Sequence, residues 1–133
     1  MGSFAAEIGQ WVSETQEDVE EITIKSVLEV RNRLIVNSPV DRGHFRGNWQ
    51  YGLDRAPDGE TYTVAAKERP APPPPMPHIA AKAAGHVHYL VNNVPYANRI
   101  EDGHSSQAPA GVVALRNAEW PSIVGDAVAS VSR

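Results

Sequence analysis

Five histidines, His44, His78, His86, His88 and His104, are the side chains of this 133-residue chain best suited to acid–base or metal chemistry. His86 and His88 flank one residue, and on a strand such a pair shares one face. With His78 or His104 they could complete a zinc or nickel site. No third ligand stands at a diagnostic spacing, so no metal and no cofactor is expected. His104-Ser105 sets a base beside a hydroxyl, but neighbours in sequence rarely converge and no G-x-S-x-G elbow is present. The phosphate-cradling patterns G-x-x-x-x-G-K and G-x-G-x-x-G are absent. The expectation is a protein that is not an enzyme. A histidine-dependent metal enzyme is the alternative from another class.

The length suits one domain over residues 1–133. A formal charge of −4, from 12 bases and 16 acids, argues against a free-standing nucleic-acid binder. No cysteine is present, which removes disulfides and thiolate metal sites. No apolar run approaches the ~20 residues of a membrane span. The N-terminus lacks the basic start and apolar core of a secretory signal, so a soluble protein acting where it is made is expected.

Around these residues, the periodicity sets out the elements. Phe4, Ile8, Trp11, Val19, Ile22, Val27, Val30 and Leu34 recur at mostly helical steps, predicting one helix over Phe4–Val36. Ser3 is its candidate cap; Ser13 with Gln16 is a rival capping box that would make the first turns a separate arm. Acids fill the first half and bases the second, which suits the helix dipole. Asn37-Ser38-Pro39 ends the helix, because the residue before a proline is pushed out of helical angles. A helix this long overhangs so small a domain, and one end should seek a partner. Asn48–Leu53 reads as a strand, Pro57-Asp58-Gly59 as a turn, and Thr61–Ala66 as the partner strand. Residues 67–86 form a Pro/Ala-rich loop or arm, with polyproline II or disorder expected for its proline run and a short helix or more of the same arm for Ile79–Gly85. Val87–Asn92 is a third strand and Pro95–Asp102 a short helix. A closing helix over Val112–Val131 follows Val113, Trp120, Val124, Ala127 and Val131, and Pro121 should kink or restart it. The expected fold is α+β: a long N-terminal helix packed on a small antiparallel sheet, a C-terminal helix and a projecting Pro-rich loop.

Two turn-rich blocks connect these elements. In the first, Ser38-Pro39-Val40-Asp41-Arg42-Gly43-His44-Phe45-Arg46-Gly47-Asn48-Trp49, Pro39 and Gly43 shape a turn and Asp41 can accept from its amides. Arg46 is close enough to pair with Asp41 or another carboxylate, and Trp49 offers a large apolar face. The plain reading is a helix-to-strand connection held by a salt bridge; the functional one adds contact with a neighbouring subunit. The second block runs from Tyr96 to Gly111. Tyr96, Ala97 and Ile100 share a helical face, and Glu101 and Gly103 end that element. Ser105 and Gln107 supply hydrogen bonds, Ala108-Pro109 a stiff exit and Gly111 a flexible one. Glu101 reads as a solvated or capping carboxylate, or as an ion-pair partner of Arg46.

Together the blocks resemble the tail-completion, or head–tail joining, proteins in the neck of long-tailed bacteriophages. That family carries S-P-V-D-T-G-x-x-R-x-x-W after a long N-terminal helix and Y-A-x-x-x-E-x-G-x-S-x-Q-A-P-x-G later. Order, spacing and most identities match between about Val30 and Trp120, with Arg42 where the family has threonine. The resemblance implies a structural virion protein at the head–tail junction, made in the host cytoplasm. It implies a homo-oligomeric ring, of six copies in the family, that completes the tail. Its partners would be the connector or stopper on one side and the tail terminator or tail tube on the other. Genome DNA would pass through the lumen without specific binding, and no membrane is involved. A tail terminator or connector stopper ring is the related alternative. The long helix and the sheet edge are the expected ring faces, and the motif residues the interface candidates.

Overall fold

The computed structural model describes residues 3–62, 65, 69–79 and 82–131. Helix α1 spans Phe4–Val36, and Ser3 caps it by accepting from the Ala6 amide at 3.1 Å. It runs unbroken through Ser13 and Gln16, so the first turns are not a separate helix. Asn37 closes it with its backbone and side-chain nitrogens both on the Arg33 carbonyl. Only the second half is buried, through Ser26, Val27, Arg31, Leu34 and Ile35. Residues 4–13 are all exposed.

Strand β1 is Trp49–Leu53 and β2 is His88–Asn92. They pair antiparallel, with Trp49 opposite Asn92 and Leu53 opposite His88. The partner of β1 is thus the segment read as a third strand, while Thr61 and Tyr62 carry no strand. The rest of the expected Thr61–Ala66 strand lies outside the described residues except for residue 65, which carries none. The physical reason lies in Asn48. Its side chain accepts from the Thr61 amide at 2.6 Å and donates to the Thr61 carbonyl at 2.9 Å, consuming the groups a ladder would need.

Helix α2, Ala97–Glu101, is one short turn, and α3 spans Val113–Val131. α3 runs through Pro121 without a new start, at the cost of the bond that amide would have made to the Asn117 carbonyl. It lies antiparallel to α1: Arg33 meets Glu119 at 2.7 Å near one end, and Lys25 donates to Ser130 at 2.9 Å near the other. Its buried face is Ile123 and Ala127, whereas Val113 and Trp120 of the expected stripe are exposed.

The core sits where the second half of α1 meets the connectors: Leu34, Ile35, Phe45, Trp49, Val94, Ala108 and Val112, flanked by Leu90, Ala97 and Ile100. Phe45 and Trp49 meet edge to face at 5.7 Å, a favourable aromatic geometry.

The proline run does not project over its described part. Arg31 is buried and donates to the carbonyls of Pro74 at 3.0 Å and Pro75 at 2.7 Å. Ala71 is buried too, with its amide on the Arg42 carbonyl. Prolines lack amides but keep carbonyls, and a guanidinium is the donor best shaped to gather several of them. Within the Pro/Ala-rich stretch, residues 67–68 and 80–81 lie outside the described residues, and no helix forms at 79 or 82–86.

Candidate functional site

Most of the motif residues converge on the end of α1. Ser38 is buried, donates to the Leu34 carbonyl at 2.6 Å and accepts from the Trp49 indole at 2.7 Å. One hydroxyl therefore joins the last turn of α1 to the start of β1. Pro39 is buried beside it. Val40 then meets the second block directly. Its amide donates to Gln107 Oε1 at 2.9 Å, and its carbonyl accepts from Gln107 Nε2 at 3.0 Å. A side-chain amide here takes the place of a strand neighbour and fastens the two blocks together.

Gly43 has φ +81°, and a side chain there would collide with the Ala71 carbonyl. This close approach seats the proline segment. Arg46 donates to that same carbonyl at 2.7 Å, rather than to Asp41 or Glu101 as expected.

Glu101 is a cap. Its carboxylate accepts from the amides of Val112, Val113 and Ala114 at 2.8–2.9 Å, covering the free donors at the start of α3. Burial pushes its pKa up, but the three amide bonds outweigh this and hold it below the usual range. Gly111, at φ +82°, lies so close to the Glu101 carbonyl that a side chain would not fit. The Gly103 amide ends α2 on the Ile100 carbonyl. Ser105 accepts from the Gln107 amide at 3.2 Å, so its hydroxyl serves a turn. Ala97 and Ala108 pack on or in the core, while Pro109 is exposed.

Between the blocks lies an open cavity of about 260 Å³, lined by Pro39, Asp41, Arg42, His44, Phe45, Tyr96, Ile100, Ser105 and Gln107. A second, apolar groove of about 420 Å³ runs between α1, β2 and α3, past Val27, Leu90 and Trp120.

Three of the five histidines have side-chain partners. His88 has Nδ1 on the Tyr51 hydroxyl at 2.7 Å and Nε2 on the Ala83 carbonyl at 2.8 Å. With both nitrogens used, it has no lone pair free for a metal in this arrangement. His86 Nδ1 meets Asp54 at 2.6 Å. Among the described residues, no three metal-ligating side chains converge. His44 Nε2 meets Glu60 at 2.5 Å, and its ring stacks on Tyr62. The bond to His44, then that from Tyr62, holds the Glu60 carboxyl below the usual range.

Two structural residues escaped the sequence reading. Asn48 is 2% exposed and ties His44 to Thr61. Arg31 sits on the buried side of α1 between Val27 and Leu34. Its signal was a charge at the core spacing, three and four residues from apolar neighbours.

Comparison with family models, with curated proteins and with solved structures finds no match. Among the described residues, no helix is long and apolar enough to cross a membrane.

Proposed function

We propose that this chain is a structural subunit of a bacteriophage neck, forming a ring that completes the tail and joins it to the head connector. The observation that carries this reading is the bidentate bond between Val40 and Gln107. It locks together the two blocks on which the resemblance rests. The role is assembly rather than catalysis, since the polar side chains of the blocks are largely spent on backbone groups: Ser38, Arg46, Glu101 and Gln107 all bond to the main chain. A ring needs two different faces on each subunit. The exposed first half of α1 offers one and the cavity between the blocks another. The acidic balance fits a lumen through which DNA slides without sticking.

The test is to add purified protein to separated filled heads and tails from a lysate lacking it. Joined, infectious particles are expected. If the heads and tails stay apart with the protein bound to neither, the reading fails. Binding to bare tail-tube ends without any other neck protein would instead mark a tail terminator.

A further inference from the structure

The first turns of α1, residues 4–13, are all exposed, with no cover among the described residues. Phe4 is 77% exposed and Trp11 63%, and Ile8, Val12 and Val19 are exposed with them. Such a contiguous apolar stripe marks an interaction surface. The same segment carries Glu7, Glu14, Glu17, Asp18, Glu20 and Glu21, and no lysine or arginine precedes Lys25. Two such arms laid together would bring like charges into contact, so the arm is poorly suited to pair with itself. The remainder of the chain holds all 12 bases against the ten other acids.

We propose that this acidic, apolar arm docks head-to-tail on a second copy of the chain, in the cavity between that copy's two blocks. The proposal deepens the ring reading by naming its two faces. The cavity has apolar and aromatic walls in Pro39, Phe45, Tyr96 and Ile100. At about 260 Å³ it exceeds the ~150 Å³ that takes a benzene ring, which is enough volume for one aromatic side chain such as Trp11. Arg42 lines it and Arg99 stands on the adjoining α2; both are exposed and make no ion pair among the described residues. Asp41 and Asp102 offset part of their charge, so the attraction is local, between these arginines and the acids flanking Trp11. Glu7 and Glu14 are those acids, four residues before Trp11 and three after it, on its helix face.

The other cavities suit the arm less well. One along α1 sets Glu17 and Glu20 against the single Lys82, another has Lys25 and Arg33 already paired with Glu21, Glu29 and Glu119, and the apolar groove has no lysine or arginine. The two proposed faces lie at opposite ends of α1. Head-to-tail contacts between different faces build rings when the rotation between copies closes.

The absence of cysteine gives a clean test. A full-length variant with Val12→Cys and Tyr96→Cys is oxidised and run without reductant. About 36 Å of helix separates Val12 from the end of α1, at ~1.5 Å per residue. A disulfide needs Cα atoms within ~7 Å, so it cannot form within one copy. A ladder of covalent dimers, trimers and larger species is expected, with no cross-link from either single variant. Dimers from Val12→Cys alone would mean arm-to-arm pairing and overturn the proposal. So would the absence of a ladder at protein concentrations near ~1 mM, where even weak contacts form.

Charge exchange is the second arm of the test. Glu7→Lys with Glu14→Lys, and separately Arg42→Glu with Arg99→Glu, should each weaken self-association about tenfold or more. Mixing the two variants should restore it, because each arm then meets an opposite charge on the other variant. Unaltered association of either variant alone contradicts the interface. Protein that joins heads to tails but shows neither ladder nor charge dependence would remove this interface and leave the neck reading standing. A ladder without joining activity would do the reverse.

Discussion

At the residue scale, Ser38 and Glu101 show how single polar groups hold the two blocks. Ser38 serves both Leu34 and Trp49, and both it and the indole are buried. Ser38→Ala strands the indole N–H in the core. A loss of about 1–3 kcal/mol in urea unfolding is expected, the usual penalty for an unsatisfied buried donor. Glu101 adds a pH dependence whose sign is set by its amide bonds. Its folded pKa lies below the ordinary 4.5. Its contribution is therefore complete above pH 4.5 and lost as pH falls through the depressed value. Glu101→Gln should flatten that acid limb of the stability curve and lower stability by about 1–2 kcal/mol at neutral pH. Capping was one of the readings open from sequence, because a carboxylate near a turn accepts amides readily. What the sequence hid was the distance: the loop from Asp102 to Gly111 brings back the helix that Glu101 caps. The Arg46 ion pair was misread for the opposite reason. Asp41 was near in sequence, but the Ala71 carbonyl was near in space.

At the element scale, the helices were legible and their partners less so. The steps from Phe4 to Leu34 and the stop at Asn37-Ser38-Pro39 predict α1 to its ends. They do not say which half is buried, since the stripe has the same spacing in both. The strand pairing was hidden because Pro57-Asp58-Gly59 mimics a hairpin turn. In the fold, side chains hold that turn: Gln50 donates to the Gly59 carbonyl, and Asn93 to Pro57 and Gly59. The proline run looked like a free arm because its residues cannot donate, and Arg31 supplies the donors. Arg31→Ala should therefore release residues 71–76 while leaving α1 formed. Faster hydrogen exchange at the Ala71 amide and new protease cleavage near Met76 are the expected readouts. Unchanged protection would mean that the Gly43 and Arg46 contacts hold the segment alone.

At the scale of the whole molecule, the chain is lopsided. Its packed body gathers around the C-terminal half of α1, and an acidic, apolar half-helix extends from it. Exposed apolar surface of that kind is costly in a free monomer and useful in an assembly. The side-chain chemistry of the blocks is spent on building a face, which suits a ring subunit in a phage neck. Deleting residues 3–13 should spare the folded body, whose core begins at Ser26, yet abolish assembly. An unchanged circular dichroism melt beside lost self-association would check this. The most direct test of the proposed neck role is to inactivate this gene in a phage that carries it and examine the lysate by electron microscopy. Filled heads beside separate tails of normal length are the expected result; intact virions, or a normal yield of infectious phage, would contradict it.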